Sequence, residues 1–132
     1  MSVVQIRVLY GDTDRMGVVY YANYLRWFEA GRNEFIRERG VPYRDIEARG
    51  YSLPVVEVGC LYRSPARYDD VVEVETRLGR GGRTTVKFEY TVRDKGDGRV
   101  LAEGFTVHAL VGPDGKPARL PDDLASALAE AA

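Results

Sequence analysis

Two aspartates in a short loop are the residues whose type and spacing could carry out chemistry. Asp12 and Asp14 lie in the stretch 10–24, YGDTDRMGVVYYANY, between a strand pattern and a helix pattern. The N–H groups at a helix start have no intrahelical partner, and the helix dipole favours negative charge there. A carboxylate near that start can act as a general base or a nucleophile toward a carbonyl, while the N–H groups stabilise the oxyanion. The spacing does not choose between the aspartates, and turn formation is the alternative role for both.

Other catalytic arrangements are disfavoured by composition. The sequence has one cysteine, Cys60, and one histidine, His108, which is too few for the usual zinc sites and allows no internal disulfide, so no metal is expected. No serine lies in a G-x-S-x-G motif. His108 has the opposite parity to the apolar residues around it and is predicted to be a partly exposed structural residue. The glycine-rich run 79–82 lies between two strand patterns and is interpreted as a hairpin turn rather than a phosphate-binding loop.

The elements that must position the aspartates follow from hydrophobic periodicity. A strand is predicted over 3–10, and a long amphipathic helix runs from Tyr24 to Arg39, with Asn23 as its N-cap. Gly31, on the apolar stripe of that helix, indicates close approach to another element. A short helical turn is predicted from Tyr43 to Arg49, and a short helix from Pro121 to Ala131.

Four segments with a period of two follow the long helix, at 53–63, 70–78, 84–94 and 99–111. Such alternation indicates antiparallel strands with one covered face. The residues predicted to share a face within each segment are Val56, Val58, Cys60 and Tyr62; Val72, Val74, Thr76 and Leu78; Val86, Phe88, Tyr90 and Val92; and Leu101, Phe105, Val107, Ala109 and Val111. The predicted fold class is therefore α+β, with a five-stranded antiparallel sheet.

The totals predict one domain over residues 1–132. The 19 basic and 20 acidic residues give a net charge of −1, which does not favour nucleic-acid binding. No apolar run is long enough for a membrane span, and the N-terminus lacks a signal-peptide pattern, so a cytoplasmic location is expected. One helix covers only one face of a sheet, and we therefore expect a homo-oligomer.

Three segments resemble a known family. The run Gly11–Tyr24 is similar to the signature of the 4-hydroxybenzoyl-CoA thioesterase-like branch of the hot-dog fold, and the segments Ser64–Asp70 and Gly82–Val86 also resemble that family. The resemblance implies a long helix wrapped by an antiparallel sheet and a homodimer that assembles into a homotetramer. It also implies hydrolysis of an acyl-CoA thioester with no metal or redox cofactor, coenzyme A being part of the substrate.

The resemblance also implies roles for individual residues. Asp14 matches the catalytic aspartate, while Asp12 shapes the loop. The backbone N–H of Tyr21 would polarise the thioester carbonyl, and Gly17 would permit close approach of the loop. Many relatives have histidine at the position of Tyr21, so this side chain departs from the family pattern. Whether Asp14 attacks directly or activates water stays open.

Candidate substrate contacts follow from the same resemblance. Tyr20, Asn23 and Tyr24 are candidate substrate-binding residues, of which Tyr20 and Tyr24 would suit an acyl group. Arg80 and Arg83 are candidates for the phosphates of coenzyme A, with Arg67 a weaker one.

Two alternative functions remain at this point. The first is a dehydratase or hydratase of the same fold, which would use an aspartate with a histidine in the helix region; residues 11–40 contain no histidine. The second is a non-catalytic acyl-CoA-binding module.

Overall fold

The computed structural model describes residues 1–129, which form a five-stranded antiparallel sheet and three α-helices. In chain order the elements are β1 (Ser2–Arg7), a short 3₁₀ helix (Tyr10–Asp12), α1 (Asn23–Glu38), α2 (Tyr43–Ala48), β2 (Val55–Tyr62), β3 (Val71–Leu78), β4 (Thr85–Asp94), β5 (Val100–Ala109) and α3 (Asp122–Ala129). The strand order in the sheet is β1-β3-β4-β5-β2. Positions 130 and 131 of the predicted C-terminal helix lie outside the described residues. Across residues 1–129 no helix is both long and apolar enough to cross a membrane.

The helix α1 packs along one face of the sheet, over β1 and β3. Its buried positions follow the predicted stripe and are Tyr24, Trp27, Phe28, Gly31, Phe35 and Ile36. A Cβ atom at Gly31 would overlap Thr76 Oγ1 and lie 3.0 Å from Val74 Cγ1 on β3. The glycine therefore lets the helix approach the sheet closely, as the sequence predicted.

The inner strands β3 and β4 confirm the alternation. Val72, Val74 and Thr76 are buried on β3, and Val86, Phe88, Tyr90 and Val92 are buried on β4. The glycine-rich run 79–82 connects these two strands, and the run 95–98 connects β4 to β5. Both hairpins predicted from the glycine content are therefore present.

The strand β2 differs from its predicted covered face. It pairs only with β5 and forms one edge of the sheet. Val56, Val58 and Tyr62 are 61%, 45% and 47% exposed. Val55 and Leu61 are also exposed, at 46% and 59%, so within residues 1–129 the strand has no face that is buried along its length.

The strand β5 buries the face opposite to the predicted one. Ala102, Thr106, His108 and Leu110 are buried, whereas Phe105 lies on the outer face against Gly59 and under Lys87. The physical reason is a register shift in the pairing of β4 with β5, where Leu101 is the extra residue and is buried together with Ala102. A bulge of this kind inverts the parity of every residue that follows it.

His108 is consequently buried, and its predicted partial exposure is wrong. Nδ1 donates to the Leu53 carbonyl at 2.8 Å, and Nε2 accepts from the Thr106 hydroxyl at 2.8 Å. Thr106 in turn accepts from the Tyr90 hydroxyl at 2.6 Å. Hydrogen bonds to both ring nitrogens make a buried neutral histidine tolerable in the core.

We expect the stability of the protein to fall in mild acid because of His108. Burial lowers its pKa below the ordinary 6.5. As pH falls below about 6.5, the unfolded chain binds a proton that the folded chain does not, so the free energy of unfolding decreases until the lower folded pKa is reached. Urea unfolding at pH 7.5 and 5.5 measures this loss. His108→Gln, which has no titrating ring, should lose less stability over the same interval, and an unchanged pH dependence would contradict the assignment.

Candidate active site

The buried carboxylate of Asp12 ties the loop to the start of α1. Its Oδ2 accepts the Leu9 N–H at 2.8 Å and closes the short 3₁₀ helix, while Oδ1 lies 3.6 Å from Arg26 on α1. The main-chain oxygen of Asp12 accepts from the Tyr20 N–H and from Asn23 Nδ2, each at 2.9 Å. One residue therefore joins both ends of the loop to the helix, which supports the loop-shaping role expected for Asp12.

Asn23 does not cap the helix as predicted. It is the first residue of α1, and the preceding Ala22 already has helical angles, φ −68° and ψ −21°, with no side-chain cap. An N-cap side chain needs extended backbone at its own position so that it can turn back to the following N–H groups. The Asn23 amide instead donates to the Asp12 carbonyl.

Asp14 stands in a tight turn stabilised by its own side chain. Its N–H donates to the Val18 carbonyl, and its carbonyl accepts from the Gly17 N–H, both at 2.9 Å. Its Oδ1 accepts the Met16 N–H at 2.8 Å. Within residues 1–129 the Oδ2 atom makes no hydrogen bond, so one carboxylate oxygen is available to a ligand.

The backbone conformation of Gly17 suits this turn. Its φ is +78°, in the region that glycine adopts without strain, and nothing lies within 4 Å of the place where a Cβ would be. The close approach of the loop that the family resemblance implies for Gly17 stays a prediction.

A cavity of about 300 Å³ brings Asp14 together with the start of α1 and the end of β2. Its lining includes Asp14, Tyr21, Tyr24, Tyr62 and Ser64. Tyr20 is not part of the lining, but its ring packs on Tyr21 with 4.7 Å between centroids. The cavity thus joins a carboxylate to an aromatic wall, which suits the acyl end of a substrate.

The start of α1 offers unbonded donors next to this cavity. Among residues 1–129 no acceptor is hydrogen-bonded to the N–H of Tyr21 or of Ala22, whereas the Asn23 N–H donates to the Tyr20 carbonyl. Such N–H groups at a helix start can hold a carbonyl oxygen that becomes negative during reaction.

Tyr62 is a cavity residue that the sequence analysis did not select. Its hydroxyl donates to the Tyr21 carbonyl at 2.9 Å, and its ring meets Tyr24 edge to face at 5.1 Å. Burial, followed by the neighbouring Cys60, raises the pKa of Tyr62, and burial also raises the pKa of Tyr24. The available signal was its place two positions before the family-like segment Ser64–Asp70, but only the fold brings the end of β2 to the start of α1.

The predicted arginines do not line the Asp14 cavity. Arg67 is exposed beyond β2, and its N–H donates to Asp70. Arg80 and Arg83 lie in the turn between β3 and β4, and Arg83 lines a separate cavity of about 420 Å³ beside α3, together with Arg119.

The sheet register separates these two cavities. Tyr62 pairs with Ala102, and Ala102 pairs with Val92, whereas the turn with Arg83 adjoins Thr85 at the other end of β4. Val92 lies seven positions after Thr85 along the strand, which corresponds to about 23 Å. One chain therefore holds the Asp14 carboxylate and the turn with Arg80 and Arg83 at opposite ends of its sheet.

No metal site accompanies these groups. Residues 1–129 contain no cluster of three or more His, Cys, Asp or Glu side chains that could share a metal ion.

Comparison with known proteins identifies the family. Residues 8–128 match the family model of the thioesterase-like superfamily. The chain belongs to the thioesterase-like superfamily. The resemblance noted in the sequence is thereby confirmed.

Relatives of this thioesterase-like chain agree in sequence and in structure. The acyl-CoA thioester hydrolase YbgC of Escherichia coli O6:H1 is 30% identical over 90% of this chain and 89% of that protein. A hypothetical protein from Thermus thermophilus is 42% identical, with a TM-score of 0.94 over 100% of both chains. The DHNA-CoA thioesterase from Staphylococcus aureus is 30% identical, with a TM-score of 0.90 over 98% of this chain and 89% of that one. The hot-dog fold expected from the sequence is also confirmed.

We expect Asp12→Ala to destabilise the thioesterase-like fold by about 1–2 kcal/mol, because the partly buried Leu9 N–H loses its acceptor while the bonds to the Asp12 main-chain oxygen remain. Chemical denaturation measures the loss. Arg26→Ala is the matched control: it removes only the partner at 3.6 Å, whose side chain is 72% exposed, and should cost less than about 0.5 kcal/mol. Equal losses in the two variants would show that the ion pair, and not the bond to Leu9, anchors the loop.

Proposed function

We propose that the protein hydrolyses acyl-CoA thioesters, with Asp14 as the catalytic carboxylate. The observation that carries the proposal is the placement of Asp14 and Tyr21 on one cavity, next to N–H groups of the helix start that have no acceptor within residues 1–129. The names of its relatives, an acyl-CoA thioester hydrolase and a DHNA-CoA thioesterase, support the same chemistry.

The proposed reaction gives different roles to Tyr21 and Asp14, which both line this cavity. The thioester oxygen accepts the Tyr21 N–H, which stabilises the charge that develops on it in the tetrahedral intermediate. Asp14 either takes a proton from an attacking water or attacks the carbonyl carbon itself. In both routes the C–S bond breaks, the thiolate of coenzyme A leaves and is protonated, and water supplies the new oxygen of the free acid over the complete cycle.

We expect Asp14→Asn to lower kcat for acyl-CoA hydrolysis by about 10²–10⁴-fold, because the amide can neither take a proton nor attack effectively. Thiol release from a panel of acyl-CoA substrates measures this change. Asp45→Asn, at an exposed position of α2, is the matched control and should keep full activity. An Asp14→Asn variant that remains folded and retains wild-type turnover would overturn the assignment of Asp14.

The same substrates give a positive test for direct attack by Asp14. In a single turnover in H₂¹⁸O with enzyme in excess, activation of water places ¹⁸O in the released acid. Direct attack followed by water attack on the Asp14 carbonyl places the label in the Asp14 carboxylate instead, and mass spectrometry of the acid and of the peptide containing Asp14 locates it.

The structure favours hydrolysis over the hydratase alternative. That reaction would pair the aspartate with a histidine, but His108 is the only histidine in the sequence and is 1% exposed in the sheet core. Both of its ring nitrogens are already bonded to Leu53 and Thr106. The remaining alternative, a non-catalytic acyl-CoA-binding module, predicts binding without thiol release in the assay above.

We further propose that two chains pair through their β2 edges to form the working homodimer. The edge is unpaired in this chain and carries the exposed apolar side chains Val55, Val56, Val58 and Leu61. Antiparallel pairing of two copies of β2 would extend the sheet and cover these residues. In such a pair, Arg80 and Arg83 of one chain would lie near Asp14 of the other chain. The arginines of the second chain could then bind the phosphates of the coenzyme A whose thioester reacts at Asp14.

We expect Val58→Lys to reduce the native mass from a dimer or tetramer to a single chain, because a lysine on an edge strand opposes strand pairing. Light scattering after size-exclusion chromatography measures the mass. Hydrolysis should decline with the mass if the second chain completes the site. Val3→Lys on the opposite edge strand β1, where Val3 is 43% exposed, is the matched control and should leave the mass unchanged. Loss of assembly in Val3→Lys alone would place the interface at β1.

A further inference from the structure

Tyr62 belongs to the cavity, yet the proposed reaction gives its side chain no role. It is the last residue of β2, and its hydroxyl crosses to the helix start, 41 positions earlier in the chain, to donate to the Tyr21 carbonyl at 2.9 Å. The second donor to that carbonyl, the Tyr24 N–H, is longer at 3.3 Å. Tyr62 therefore supplies the shorter of the two bonds that fix this carbonyl.

The bonded carbonyl belongs to the same peptide group as the Ala22 N–H. That N–H has no acceptor within residues 1–129, and it directly follows the Tyr21 N–H in the chain. The helical angles of Ala22 align the Ala22 N–H with the start of α1. The peptide thus has a hydrogen bond on its oxygen and an unused donor on its nitrogen.

We infer that Tyr62 is a positioning residue for thioester hydrolysis: its hydroxyl orients and polarises the Tyr21–Ala22 peptide, so that the Ala22 N–H joins the Tyr21 N–H as a second donor to the thioester oxygen. The inference rests on the proposed hydrolase function. It adds a donor and a residue from β2 to a site otherwise built from the loop and α1.

The physical basis is the cooperativity of hydrogen bonds through an amide. A donor on the carbonyl oxygen draws electron density from the nitrogen and makes the N–H of the same peptide a stronger donor, by about 10–30% per bond. Fixing the carbonyl also fixes the direction of the N–H before the substrate binds. A preorganised donor gains most when the oxygen becomes negative, so the effect belongs to the transition state rather than to substrate binding.

The surroundings keep Tyr62 in its role as a donor. Its ring is held edge to face against Tyr24 and Tyr21, with centroids 5.1 and 6.4 Å away. The raised pKa of Tyr62 keeps the hydroxyl protonated through the neutral range. Phenylalanine would preserve the ring contacts and remove only the donor, which makes Tyr62→Phe a clean test.

We expect Tyr62→Phe to lower kcat by about tenfold while KM changes by less than about twofold, because one hydrogen bond that strengthens the oxyanion donors is lost. Thiol release under the conditions used for Asp14→Asn measures both constants. The matched control is Tyr43→Phe, which also removes a tyrosine hydroxyl bonded to the backbone, in this case the acceptor of the Leu53 N–H at 3.0 Å. Tyr43 lies outside the Asp14 cavity, so its variant should retain wild-type kcat.

A second readout does not depend on turnover. In ¹⁵N-labelled protein, Tyr62→Phe should move the amide proton of Ala22 upfield, because its peptide is less polarised, whereas Tyr43→Phe should leave that resonance in place. Light scattering on both variants checks that the native mass is unchanged.

The outcomes separate this inference from the function on which it rests. If hydrolysis is lost in Asp14→Asn but proceeds at the wild-type rate in Tyr62→Phe, the role of Tyr62 is overturned and the proposed hydrolase function stands. An unmoved Ala22 resonance would overturn the polarisation of that peptide. A wild-type protein without turnover on any thioester would overturn the proposed function, and the catalytic role of Tyr62 with it. A raised KM with unchanged kcat would show that Tyr62 contributes to binding only and would also overturn the inference.

Discussion

The site depends on the buried carboxylate of Asp12. Its side chain accepts from the Leu9 N–H, and its carbonyl accepts from Tyr20 and Asn23, so both ends of the loop are attached to the start of α1. A buried carboxylate without such partners would be costly, which is why this loop has a preferred conformation. Asp14 then lies at a fixed position next to the helix start with one oxygen unbonded among residues 1–129. The two aspartates have the same side chain, and it is their different hydrogen-bond partners that distinguish them.

The chain leaves the β2 edge of its sheet open. Gly31 lets the helix lie close to β3, and the helix packs mainly over β1 and β3, while Phe28 reaches Tyr90 on β4 and Gly104 on β5. The edge strand β2 is the strand farthest from β1 in the sheet, and it keeps apolar residues exposed on this chain. Because the Asp14 carboxylate and Arg80 and Arg83 lie at opposite ends of one sheet, the proposed two-fold pairing through β2 would bring them together for a substrate as long as acyl-CoA. Under that proposal, assembly and chemistry have the same physical origin in an unpaired sheet edge.

Sequence reasoning succeeded where a single local rule decides the structure. The stripe of α1, the alternation of β3 and β4 and the glycine-rich hairpins each depend on neighbours within a few positions, and each is present. It failed on β5, because the bulge at Leu101 inverts the parity of later residues and no local signal marks it. The burial of His108 follows from the same inversion. Asn23 was assigned as a cap by its type, but a helical Ala22 moves the helix start ahead of it.

The sequence by itself determined the fold class, the family and the loop to which we assign the chemistry, because periodicity and the motif around Asp14 are local properties of the chain. Only the tertiary structure shows that the two aspartates have different hydrogen-bond partners. It also shows that Arg83, in the same turn as Arg80, lies in a cavity other than that of Asp14. The hydrogen bond from Tyr62 to the Tyr21 carbonyl is likewise visible only in the fold. These relations join residues that are distant in sequence. They depend on strand order and register, which are decided by the burial of whole faces against one another and not by the composition of any one segment.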